Sequence, residues 1–159
     1  MVGRRIDYLN DPHAPRPTSI VPSANVIVVD NDGAILLIRR TDNGNIALPG
    51  GGMDLGESIT QAAVREVREE TGLDVELTGL VGIYTNPRHV IEYTSNGEVR
   101  QEFSIVFSAR PIGGVPTTSD ESSEVLWAAA GDIEGMRMHP SMRQHIEHFL
   151  DGRPQPYLG

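Results

Sequence analysis

Three successive glycines, Gly50-Gly51-Gly52, stand just ahead of a segment that reads as one helix from Ser58 to Thr71. Ser58 and Gln61, three apart, form a capping box at its start. Gly72 supplies a left-handed stop, and Leu73 can fold back on the last turn. At 100° per residue, Glu70 falls about 40° and Glu69 about 60° from Glu66, so three carboxylates share one side. Thr60, Val64, Val67 and Thr71 gather about a third of a turn away and are expected to face a sheet. Arg65 and Arg68 take the remaining arc.

This acid cluster is locally unfavourable. It occupies the C-terminal turns, where the helix dipole disfavours anions by about 0.3–1 kcal/mol each. Like charges one turn apart also repel. A compensating cation accounts for such an arrangement, and hard carboxylate oxygens select Mg²⁺, with Mn²⁺ as a substitute. The competing reading is a solvated face on which Arg65 and Glu69 pair at i, i+4. The glycines let backbone approach a ligand closely. They are no dinucleotide fingerprint, because Leu55 stands where the third glycine belongs, and no lysine-type phosphate loop, because Glu57 follows Gly56.

Charge and composition bound the function. The formal net charge is -9 over 159 residues. That argues against a nucleic-acid polymer as partner, since phosphate neutralisation needs a basic face. The chain has no cysteine, which excludes disulfides, a thiolate zinc site and a cysteine nucleophile. Apolar runs such as Val26 to Val29 are far shorter than the roughly twenty residues of a membrane span. No apolar core follows Arg4-Arg5, so no signal peptide is read there, and the expected compartment is the cytoplasm.

Residues 1–22 read as a Pro-rich arm, with Pro12, Pro15, Pro17 and Pro22 breaking any regular element; residues 23–159 read as one domain. Val26 to Val29 and Ile35 to Ile38, joined by the turn Asp30 to Gly33, are expected to form a hairpin of buried strands ending in Arg39-Arg40. Further strands are expected at 74–84, His89 to Tyr93, Phe103 to Phe107 and Val125 to Ala129, with a polar loop over 111–123. A closing helix is expected from Ser141 to Leu150, with Ser141 and Gln144 three apart. This mixture predicts an α/β chain with a mixed sheet flanked by helices.

Loop and helix together resemble one known pattern. Gly51-Gly52-Met53-Asp54-Leu55-Gly56-Glu57, then seven residues, then Arg65-Glu66-Val67-Arg68-Glu69-Glu70-Thr71-Gly72-Leu73 is similar to the signature of the Nudix hydrolases (MutT-like). The flanks resemble the family as well: Leu-Ile-Arg-Arg, Leu-Pro-Gly-Gly, a later polar loop and a tryptophan strand. The chain departs from many members at Ile46, where a tryptophan is common. The resemblance implies the family's α/β/α sandwich and a hydrolase of a nucleoside diphosphate linked to another moiety, such as ADP-ribose, a nucleotide sugar or a (d)NTP. It implies Glu66, Glu69, Glu70 and the Gly50 carbonyl as metal donors. Arg65 would orient the glutamates, mainly through Glu69, and Glu57 would support the loop or touch a further metal-bound water.

Around this centre, Arg39 and Arg40 are candidate phosphate clamps, Gly51 lies where backbone meets substrate, and Arg88, Tyr84 and Tyr93 are candidate base contacts. The resemblance leaves the general base as a glutamate of the motif, Glu66 or Glu69, or a carboxylate of the later loop, Asp120, Glu121 or Glu124, of which Glu121, six residues ahead of Trp127, is preferred. The alternative function is a nucleotide-sensing module without turnover; such proteins lack some of these glutamates, and here all are present. Isoprenoid diphosphate isomerisation, seen in some relatives, resembles chemistry that needs a cysteine. His139, His145 and His148 admit a metal reading, against the plainer one of an exposed helix face. The arm and the resemblance allow a homodimer.

Overall fold

A computed structural model describes residues 3–159. In chain order the elements are β1 (Arg5–Leu9), β2 (Ser19–Ile20), β3 (Ser23–Val28), β4 (Ile35–Arg40), β5 (Ile46–Ala47), β6 (Gly50–Gly52), α1 (Ile59–Thr71), β7 (Leu73–Tyr84) and β8 (His89–Tyr93). They continue with β9 (Glu98–Gln101), β10 (Ser104–Gly114), β11 (Ser122–Ala128), α2 (Ala130–Ile133), α3 (Pro140–Leu150) and β12 (Tyr157–Leu158).

The strands form three sheets, ordered β12-β7-β10-β3-β6, β11-β4-β5 and β1-β8-β9-β2. The first is mixed: β10 runs parallel to β3 and antiparallel to β7. Period-two alternation divides the apolar strands between two cores. Ala24, Val26, Val28 and Leu36 pack with Ala63 and Val67 of α1. Ile27, Ile35 and Leu37 pack with Met142 and Ile146 of α3. Helices therefore cover both faces in an α/β/α sandwich. This is why Val26–Val29 and Ile35–Ile38 read as continuous apolar runs rather than as alternating ones.

The same double burial overturns the expected hairpin. Asp30 Oδ1 accepts from the backbone N–H groups of Asp32 and Ala34, so the turn forms. The strands then diverge beyond a single Val29–Ile35 bridge. β3 goes between β10 and β6, and β4 between β11 and β5.

The helix α1 begins and ends as its caps dictate. Ser58 and Gln61 close the capping box, and Gly72 (φ 77°) donates its N–H to the Arg68 carbonyl. Its buried face is Ala62, Ala63, Glu66, Val67, Glu70 and Thr71; Thr60 is exposed, contrary to expectation.

Several boundaries differ from those read in the sequence, and β11 starts at Ser122, three residues before Val125. β10 continues through Pro111 to Gly114, leaving 115–121 as the loop. A register shift accommodates Pro111, and Gly114 crosses the α1 terminus so closely that a Cβ there would collide with the Gly72 carbonyl. The closing helix is capped by His139, whose Nδ1 accepts from the Ser141 N–H, with Pro140 in its first turn. The pair Ser141 and Gln144 therefore lies inside the helix. The arm carries β1, paired with β8, and β2, paired with β9, where the prolines suggested no regular element. Arg5–Leu9 precedes the first proline and is free to pair.

Candidate active site

Glycine geometry brings β6 against α1. A Cβ at Gly51 would lie 2.5 Å from Glu66 Cδ, so only glycine lets this strand pass the carboxylate. A Cβ at Gly50 would collide with the Ala24 carbonyl across the β3–β6 pair. Gly50–Gly52 thus form the floor of a cleft of about 590 Å³. Glu66, Glu70 and Glu121 line it, as do Arg4, Arg5, Tyr93 and Ser95.

Glu66, Glu70 and Glu121 each offer an oxygen, and all three oxygens lie within 4.8 Å of one another. Glu66 and Glu70 are buried and Glu121 is exposed. Burial above all, then the nearby Glu66 and Glu121, push the Glu70 carboxyl up to about 9. Burial also raises Glu66, despite its contact with Arg65. Hard oxygens this close, two of them on buried side chains, are chemically suited to a divalent cation such as Mg²⁺ or Mn²⁺.

Arg65 is the hub beneath them. Its Nη2 and Nε donate to Glu57 at 2.7 and 3.0 Å, and its Nη1 donates to Glu66 at 2.8 Å and to Glu69 at 3.1 Å. Nη2 also donates to the Gly52 carbonyl. The Glu57 contact is the largest influence raising Arg65 and lowers Glu57 to about 2. Arg65 therefore acts chiefly through Glu57 and Glu66, not mainly through Glu69. Glu57 also accepts from the Asp54 N–H within the same loop.

The remaining sequence candidates divide. Arg40 lines the cleft, tied to Asp42 by two hydrogen bonds of 2.9 and 2.8 Å. Arg39 leaves it, pairing with Glu124 and the Gly44 carbonyl. Glu69 is more than half exposed and pairs with Arg65, standing apart from the three clustered acids. Arg88 is exposed and lies outside the cleft lining. Tyr93 lines the cleft with the Arg100 guanidinium 4.7 Å over its ring. Tyr84 is buried instead, its hydroxyl 2.8 Å from His148 Nδ1.

The place of Arg4 and Arg5 in the cleft lining escaped the sequence reading, in which that pair served only to judge a leader. So did a second titratable cluster, Asp7, His89 and His139. His89 lies 2.9 Å from Asp7 and 3.3 Å from Glu102. Burial alone would lower it, but the two carboxylates outweigh burial and raise it to about 9. His139 already accepts at Nδ1 and so keeps its proton on Nε2, which removes the lone pair a metal needs. Through His89, Asp7 and Glu102 this cluster is therefore an ion-pair tie between β1, β8 and the link from β9 to β10. His139, His145 and His148 do not converge: one caps α3, one is buried against Tyr84, one bonds Tyr84.

Residues 20–149 match the family described as the NUDIX domain. A MutT-like protein of Streptomyces ambofaciens is 39% identical over 146 residues, covering 91% of this chain and 87% of that protein. An ADP-ribose pyrophosphatase of Methanocaldococcus jannaschii is 39% identical over 100 residues, covering 61% of this chain and 55% of that protein. Among solved structures, a NUDIX hydrolase from Nitrosomonas europaea superposes with a TM-score of 0.69 at 26% identity, covering 87% of this chain and 93% of that one.

Proposed function

The chain belongs to the NUDIX family, and on that premise we propose that it is a Mg²⁺-dependent pyrophosphohydrolase of nucleoside diphosphates linked to another moiety. The observation that carries this reading is the trio Glu66, Glu70 and Glu121, whose oxygens converge over a glycine floor. Those three, with the Gly50 carbonyl and with Glu69 at the rim, are the donors for the cation. When bound, Mg²⁺ offsets phosphate charge and activates water.

The chain's own residues do the rest. Arg65 holds Glu66 in place and, through Glu57, fixes the loop that follows the glycines. Arg40 faces the anionic end of the substrate from the end of β4, and Gly51 permits close backbone approach. Water adds to one phosphorus, the bridging P–O bond breaks, and two phosphate-bearing products leave. Glu121, exposed and next to the buried pair, takes up the proton on a carboxylate oxygen. The name carried by the Methanocaldococcus protein makes ADP-ribose the first substrate to try.

The reading includes a cytoplasmic enzyme and a homodimer, the latter checked by light scattering. Among the described residues no helix is long and apolar enough to cross a membrane. The functional test is a panel of ADP-ribose, nucleotide sugars and (d)NTPs with Mg²⁺ or Mn²⁺, scored for nucleotide and phosphate products. Turnover abolished by chelator and by Glu70→Gln is expected. A panel left wholly uncleaved overturns the proposal.

A further inference from the structure

Glu121 is far from α1 in sequence and sits on an exposed loop, yet it reaches the helix acids. The hydrogen bonds around it explain how. The Ser122 side chain is fully buried, and its Oγ donates to the Glu70 carbonyl at 2.6 Å. That carbonyl is one of the orphans every helix leaves at its C-terminus. The next one, Thr71, accepts from the Thr117 N–H at 2.8 Å. The loop thus caps the helix that carries Glu66 and Glu70.

Ser119 completes the arrangement. Its Oγ accepts from the Glu121 N–H at 3.2 Å and from the Ser122 N–H at 3.1 Å, and lies 2.9 Å from Ser122 Oγ. On the far side, the Glu121 carbonyl accepts from the Thr41 N–H at 3.1 Å, and the Asp120 carbonyl from Thr41 Oγ1 at 2.8 Å. The Glu121 backbone is therefore held between the end of β4 and the end of α1, while its carboxylate stays exposed.

We propose that Ser119 and Ser122 form a clasp that positions Glu121 against Glu66 and Glu70, making Ser122 a positioning residue for the hydrolytic step. This rests on the function proposed above. The clasp sets the separation of the proton acceptor from the buried pair, and the loop 115–121 is a fixed arm of the site. Ser122 touches no substrate; by tying its loop to the Glu70 carbonyl it holds Glu121 beside the helix acids.

A double-mutant cycle tests this. Ser122→Ala is expected to lower kcat roughly tenfold with KM little changed, because a misplaced catalytic group loses rate before it loses binding. In a Glu121→Gln background the same change should have almost no further effect, since Ser122 then has nothing to position. Multiplying effects in the two backgrounds would mark a merely structural serine and overturn the proposal, as would an unchanged kcat. Ser119→Ala, which removes the acceptor for the Glu121 N–H, gives the same cycle should Ser122→Ala fold poorly. Mn²⁺ binding followed by electron paramagnetic resonance separates this inference from the functional one. If wild type cleaves nothing, the proposed activity fails. The clasp still stands if Ser122→Ala and Glu121→Gln weaken Mn²⁺ binding equally and without addition, and it falls if they do not.

Discussion

Glu70→Gln isolates the electrostatic cost of the site. The Glu70 carboxyl titrates at about 9 in the folded chain, against an ordinary value of 4.5. Between these values the folded state holds a proton that the unfolded state has released, so stability falls as pH rises through the window. Unit charges no farther apart than 4.8 Å repel by at least roughly 3.5 kcal/mol at an effective dielectric of about 20. Unfolding entropy for a chain of 159 residues is about 0.33 kcal/mol/K, which makes that repulsion worth roughly 10 °C in Tm. Glutamine keeps the shape and carries no charge. In chelator, the wild-type and Glu70→Gln proteins should melt together near pH 4.5 and diverge as pH rises to about 9, the variant ending roughly 10 °C higher. His89 titrates in both proteins and cancels from the difference. Added Mg²⁺ should raise the wild-type Tm and narrow the gap, while Glu70→Gln loses turnover. Differential scanning fluorimetry across this range is sufficient. Parallel curves without metal would show that Glu70 ionises freely, and the argument for a cation site built on crowded, buried charge would fail.

Other outcomes follow from single contacts. Gly51→Ala drives a methyl group to within 2.5 Å of Glu66 Cδ; overpacking of this kind costs about 1–3 kcal/mol, and displacing Glu66 should lower kcat by roughly 100-fold. Arg65→Lys keeps the charge but loses the two-pronged contact with Glu57; a fall in kcat/KM with a small drop in Tm is expected, and unchanged kinetics would refute the hub role. Asp7→Asn removes a partner of His89, whose folded value of about 9 exceeds its ordinary 6.5. A raised histidine contributes stability that is complete below the unfolded value and is lost as pH rises through the folded one. Asp7 also pairs with Arg5 at all these pH values, so the Tm gap between wild type and Asp7→Asn should be widest below pH 6.5 and narrow toward pH 9 to the part that the lost Arg5 pair leaves. A gap independent of pH would show that His89 is not held as a cation.

What could be read from the sequence was local. Ser58, Gln61 and Gly72 fix α1 because their effects reach only a few residues, and the helical wheel correctly gathered Glu66 and Glu70. The wheel also gathered Glu69, and the i, i+4 pairing with Arg65 that the spacing offered is the contact that holds this carboxylate at the rim. Glu121 was named from its place before Trp127, without the means to show that Ser119, Ser122 and Thr41 deliver it. The β3–β4 hairpin failed because strand partners are chosen across the whole chain: two runs buried on both faces each need neighbours on both edges. Pro111 and Gly114 read as loop residues, although a register shift and a close glycine crossing let the strand continue. The place of Arg4 and Arg5 in the cleft lining was invisible because nothing near them in sequence announces that β8 is their neighbour.

The strand β1, which contributes Arg5 to the cleft lining, lies outside the span matched to the family, which begins at residue 20. Part of the cleft is thus built by a stretch of chain that the common core does not include, and a comparison confined to that core would overlook it.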